Sequence, residues 1–222
     1  MENASKALLM AGGILIALLV IGSVLLMFNQ IGNYRKANTD SEKSAQLANF
    51  NKDFVRYADG EQIKGVDVIS LANKIVDYNQ KKGVANSVDY DKITLKINLA
   101  PSASSNFITK YGTNGKSELF DKQTNWIVSN SDKQFVSKVT QFANLESKYT
   151  LGTMSKLSAN YDLIKNGEKT ASQVAGKTVN ITIDDIRKYR EYSEFKSSTF
   201  INDSEPKYDN GQVIELSFKF VK

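Results

Sequence analysis

Apolar and polar residues follow one another along this chain in three different rhythms. Between Ala7 and Phe28 the apolar character is unbroken: 22 positions pass with no charge, no proline and one hydroxyl, Ser23. As a helix the run is about 33 Å long, which matches the roughly 30 Å hydrocarbon thickness of a bilayer. In lipid the backbone must satisfy its own hydrogen bonds, which imposes a helix despite the β-branched Ile and Val. Further on, a helical period takes over in places. Thr39-x-x-Glu42 has capping-box form, and Leu47, Phe50 and Phe54 then predict a helix reaching about Tyr57. Val68, Leu71, Ala72, Ile75 and Val76 predict an amphipathic helix over 66–78. Ser131-x-x-Gln134, with Phe135, Val139, Phe142 and Leu145 behind it, announces another, and the stretch 184–196 opens with two acids, as the helix dipole favours.

The third rhythm has a period of two. Ile93, Leu95, Ile97 and Leu99 alternate with polar residues, as in a half-buried strand. Short strands are expected at 126–128 and 178–183. Asp209-Asn210-Gly211 is a tight-turn signal, followed by a closing strand with Ile214, Leu216, Phe218 and Phe220 on one side. The segment 101–115 reads as loop, and 148–167 as two strands or a loosely ordered hairpin. The fold class expected is α+β: an N-terminal transmembrane or stalk helix, then amphipathic helices and an antiparallel sheet with helices on one face. The domains expected are an apolar helix over 1–28, a polar juxtamembrane linker over 29–38 and a globular domain over 39–222. Tyr34, Arg35 and Lys36 stand where interfacial anchors usually lie.

The apolar run admits other readings. A cleaved signal peptide has a basic n-region, a shorter core and a small-residue cleavage site, whereas this chain opens Met-Glu-Asn-Ala-Ser-Lys and its core is longer. A buried core helix would have to be apolar all round. A pilin-like stalk would be lipid-bound before assembly and would pack against copies of itself afterwards. Ala7 and Ala11, and Gly13 and Ala17, are spaced four apart and would let helix backbones approach closely. Glu2 can pair with Lys6 one turn on, or with a neighbour's N-terminus.

Composition narrows the chemistry. Cysteine and histidine are both absent, which removes disulfides, thiolate metal sites, the commonest metal ligand and the usual general base. The 29 basic and 24 acidic residues leave a net charge of +5, but they are interleaved, not gathered on one arm as in nucleic-acid binders. Lys6 and the α-amine flank the run on one side and Arg35, Lys36 and Lys43 on the other. A strict positive-inside count would put the domain in the cytoplasm, but the margin is small and leaves the membrane orientation open.

Each candidate constellation has a plainer reading. Asp89 and Asp91 suit a turn, and Asp184 and Asp185 suit a helix start. Asp203-Ser-Glu205 with Asp209 makes an acidic loop whose Pro206, Lys207 and Tyr208 break the calcium-loop pattern. The stretch 110–117 lacks phosphate-loop spacing. Tyr189, Tyr192, Phe195, Phe200 and Tyr208 line a groove or, more simply, pack a core. Asn180-Ile-Thr182 and Asn202-Asp-Ser204 fit the glycan-acceptor triplet. No catalytic residue, cofactor, metal, small-molecule substrate or nucleic acid is expected.

The opening Glu-Asn-Ala-Ser-Lys-Ala-Leu, with Phe50-Asn-Lys-Asp-Phe54, the segment 65–79 and the stretches 192–200 and 208–218, resembles largely uncharacterised single-pass proteins of Firmicutes-type bacteria. An apolar N-terminal helix ahead of an α+β domain is also similar in architecture to type IV pilins and pseudopilins. The resemblance implies an envelope-filament subunit that meets membrane lipid and its own copies through the first helix, with the domain on the outer side. The alternative is a single-pass accessory protein of a secretion or conjugation machine, or a virion membrane protein.

Overall fold

The computed structural model of the chain describes residues 2–60, 62–81, 92–112, 119–120, 123–129 and 132–221, with side chains of the first helix from Gly12 onward except Ala17. Two compact units divide at Phe50 and Asn51. The first is helix throughout, part of α1 (Glu2–Val55). The expected linker over 29–38 is therefore helical. Thr39 does not cap a new helix: its hydroxyl donates back to the Arg35 carbonyl at 2.9 Å, the bond a Ser or Thr makes inside a continuing helix. No proline or αL residue interrupts the segment, so nothing local stops the ladder.

The second unit begins with the end of α1, then β1 (Ile63–Lys64), α2 (Gly65–Lys81) and β2 (Thr94–Asn98). A short helix α3 (Phe107–Tyr111) and strand β3 (Asn125–Val128) follow. Five helices come next: α4 (Gln134–Tyr149), α5 (Leu151–Ala159), α6 (Tyr161–Lys165), α7 (Ala171–Ala175) and α8 (Ile183–Ser197). The unit closes with the hairpin β4 (Thr199–Asp209) and β5 (Gln212–Phe220).

The sheet order is β1-β4-β5-β2-β3. β4 is antiparallel to both β1 and β5, β3 is antiparallel to β2, but β5 runs parallel to β2. The sheet is mixed, which corrects the antiparallel expectation. Its cause is the last hairpin: β1 and β2 point the same way, joined by α2, and the C-terminal pair β4–β5 inserts between them. That is a split β-α-β arrangement. Asn210 and Gly211 turn the hairpin with φ of 47° and 80°, the positive values a two-residue turn of matching twist requires.

The core lies between one sheet face and the helices. Val68, Leu71, Ala72 and Ile75 of α2 are fully buried, as are Ile93 and Leu99 flanking β2 and Leu95 within it. A cluster of rings forms the centre. Phe107 meets Phe120, Phe195 and Phe220 edge-on at 5.6 to 5.9 Å, and Phe120 stacks on Phe135 at 5.8 Å. Such pairs add about 0.5–1.5 kcal/mol each beyond area burial. Gly65 allows the start of α2 to reach α8: a Cβ there would sit 1.7 Å from the Phe195 carbonyl oxygen.

Three further expectations change. Residues 151–165 form α5 and α6 in place of strands, because Met154, Leu157 and Tyr161, all buried, keep a helical spacing and Thr150 caps α5 through Thr153. The stretch 178–183 is not a strand, and Ile183 already belongs to α8. The Val179 backbone pairs with the Ser172 hydroxyl, and Thr182 caps α8. The supposed loop 101–115 contains α3, capped by the Asn106 side chain accepting from Ile108 and Thr109. Ser131, the expected cap of α4, lies outside the described residues, and the cap position there falls on Lys133.

Candidate functional site

Every described large apolar residue from Ile14 to Phe28 is open to the surroundings, from 44% exposed at Val24 to 67% at Leu19 and Phe28. They occupy the whole circumference of α1, so no single face is left for a soluble core. A helix apolar all round belongs in lipid or among other apolar helices. It is the one helix among the described residues long and apolar enough to cross a membrane.

The small residues on it do not form one stripe. At about 100° per residue, Ala7 and Ala11 stand about 40° apart, as do Gly13 and Ala17, but the two pairs are about 120° from each other round the helix. They belong to two separate faces of the helix. Gly13 is exposed, and a Cβ there would touch nothing within 4 Å. Glu2 and Lys6 lie within α1 at i and i+4. The side chains of Glu2, Lys6, Ala7, Ala11 and Ala17 are outside the description.

The folded unit gathers most other sequence candidates into structure. Tyr189, Tyr192, Phe195 and Phe200 are buried core, while Tyr208 remains half exposed. The acidic loop proves to be part of β4, where Asp203 pairs with Lys219 at 3.3 Å. Pro206 is tolerated there because β4 bulges between Ser204 and Lys207 and β1 covers only its first two residues, which leaves an edge. Asp184 bonds Arg187 at 3.0 Å and Asp185 accepts from Thr182; both serve the start of α8. Asn202 donates to the Ala58 carbonyl at 2.6 Å, which occupies the amide a glycan would need. Asp89 and Asp91 fall outside the described residues, as does most of the phosphate-loop lookalike. Among the described residues no three carboxylates converge as metal ligands.

Two charge clusters were not visible from sequence spacing. On the sheet face opposite Leu95 and Leu216, Glu215 takes Lys96 at 2.8 Å and Lys207 at 2.7 Å. Burial alone would push its carboxyl up, but the hydrogen bonds and charges of the two lysines outweigh that and hold it below the ordinary value. Inside the helical layer, Glu146 accepts from the Tyr189 hydroxyl at 2.5 Å and from Lys196 at 2.6 Å. Burial pushes the Tyr189 hydroxyl up, and its bond to Glu146 pushes it further.

A polar groove runs beside α8. One part, about 330 Å³, lies between the end of α3, α6 and α8 and is lined by Lys110, Lys165, Arg190 and Glu194 among others. The adjoining part, about 320 Å³, is bounded by Ser155, Ser158, Ser193 and again Arg190. Arg190 sits 5.9 Å above the Tyr161 ring and 3.9 Å from the Asp162 carboxylate. No protein-family model, curated protein or solved structure compared with this chain matches it.

Proposed function

We propose that this chain is a single-pass membrane protein of a cell envelope that serves as a structural subunit. Its first helix anchors it in lipid and joins it to copies of itself in a filament-like assembly, with the folded unit on the outer side. The observation that carries this reading is the apolar helix exposed on every side, with Gly13 open to close approach. In an apolar medium helices associate through close packing at small residues, and two such faces would let each copy touch two others.

The accessory-protein reading rests on a different observation. The core of the folded unit is closed by its own residues, with Ile75, Leu95, Phe120 and Phe195 at or near zero exposure, so a lone anchored copy needs no partner to fold.

Gly13→Leu separates the two. It keeps the helix hydrophobic and allows insertion, but holds one backbone face apart. Leu18→Ile, nearly neutral in volume, is the control. The filament reading expects cross-linked oligomer or sheared filament to be lost in Gly13→Leu and retained in the control, at equal membrane levels. Equal assembly of both leaves the helix an anchor only.

A further inference from the structure

We propose that the groove beside α8 binds an anionic polyol, a ligand that carries a phosphate or carboxylate on a polyhydroxylated body. The two parts of the groove differ in what lines them. Lys110 and Lys165 line only the first part, and among the described residues neither is held in an ion pair. Arg187 in the same wall is committed to Asp184 at 3.0 Å, and buried Glu191 accepts the Leu119 amide at 3.0 Å. The lining of this part thus carries four cations, Lys110, Lys165, Arg187 and Arg190, against three carboxylates, Asp162, Glu191 and Glu194. The two lysines outside any ion pair among the described residues leave it on balance positive, which favours an anion there.

The second part has no lysine. Its walls carry three hydroxyls, from Ser155, Ser158 and Ser193, which can donate and accept in turn, as sugar or polyol hydroxyls do. Arg190 stands on the shared wall with Asp162 and Glu194. Its 3.9 Å separation from Asp162 is too long for a hydrogen bond, so guanidinium donors remain for a ligand that spans both parts. Each volume lies at the lower end of the roughly 300–1,000 Å³ usual for ligand sites. Together they suit a molecule with an anionic end and a hydroxylated body better than an isolated anion. The site belongs to the folded unit, and its test is independent of the role given to the first helix.

The test is titration calorimetry on the full chain in neutral detergent at about physiological ionic strength, where loose surface attraction is screened beyond about 8 Å. Glucose 6-phosphate and glucuronate probe the two possible anionic groups; inorganic phosphate and glucose probe each half of the ligand alone. At least one charged sugar should bind saturably, with phosphate and glucose each about tenfold weaker or more. Lys110→Ala with Lys165→Ala, and separately Arg190→Ala, should weaken the charged sugar by about tenfold, the scale of one lost charge-assisted bond. Lys177→Ala, exposed outside the groove, should change nothing. All these are surface substitutions, and a melting curve for each checks folding. The proposal is overturned if neither charged sugar saturates at millimolar concentration, if phosphate alone binds as tightly, or if the lysine pair can be removed without effect.

Discussion

Asn79 is the residue on which the entry into β2 depends. It is 1% exposed, its amide donates to the Ile93 carbonyl at 2.8 Å and its oxygen accepts the Ile93 amide at 3.0 Å. One side chain thus satisfies both backbone groups of a buried residue just before the strand. Asn79→Ala leaves both unpaired, and with about 1–3 kcal/mol for each buried orphan, a loss of about 2–6 kcal/mol is expected in denaturant titration. A loss below half a kilocalorie or so would mean that water replaces the amide without cost. Glu146 gives a pH-dependent counterpart. Burial would raise its carboxyl, but the hydrogen bonds from Lys196 and Tyr189 and the Lys196 charge hold it below the ordinary range. The unfolded chain then binds that proton first as pH falls. The stabilisation is complete above the unfolded value, about 4.3, and is lost as pH falls through the lower folded value. Glu146→Gln should therefore melt below the parent protein near neutrality and converge on it in acid. A gap in melting temperature that stays constant with pH would count against this account.

Among the elements, the apolar part of α1 makes the strongest physical demand. Each Leu, Ile, Phe or Val near the centre of a spanning helix favours insertion by about 0.3–0.6 kcal/mol, whereas an Asp there costs about 2.5–3.5 kcal/mol. Leu18 lies near the middle of the run and is 64% exposed. Leu18→Asp should lower membrane insertion by about 3–4 kcal/mol in a glycosylation-mapping assay; unchanged insertion would argue against a lipid-spanning role. The folded unit's elements depend on one another instead. The α2 helix reaches α8 only because Gly65 has no side chain to strike Phe195. Similarly, Asp203, Ser204, Glu205 and Pro206 read locally as an acidic loop, yet they belong to β4. Its pairing with β5 outweighs those local preferences, and the bulges absorb the proline.

For the whole molecule, the division at Phe50 and Asn51 decides where the chain can be cut. Asn51 belongs to the folded unit: its side chain accepts the Val213 amide at 2.9 Å and donates to the Gly211 carbonyl at 2.6 Å. Phe54 is 2% exposed and packs edge-on against Tyr78 at 5.8 Å. A chain beginning at Thr39 keeps both, and should be soluble without detergent and fold cooperatively. One beginning at Ala58 loses both, and should be less stable by about 3–5 kcal/mol for the phenylalanine alone. Equal urea midpoints for the two chains would show that the end of α1 contributes nothing to the folded unit.

What the sequence determined by itself was whatever depends on near neighbours in the chain. The uncharged run 7–28, the stripe from Val68 to Val76, the alternation from Ile93 to Leu99 and the Asn-Gly turn each carry their own physical reason, and each appears in the fold. The helix-contact candidates were legible only as spacing, since one chain cannot say which neighbour a small residue meets. Tertiary structure decided the rest because it concerns residues far apart in sequence. The parallel pairing of β2 with β5, the burial of Phe107 among Phe120, Phe195 and Phe220, and the gathering of Lys110, Lys165 and Arg190 round one groove all join segments well separated along the chain. No local period records such meetings. They follow from which apolar faces can be closed against one another at the same time, and that is a property of the packed core as a whole.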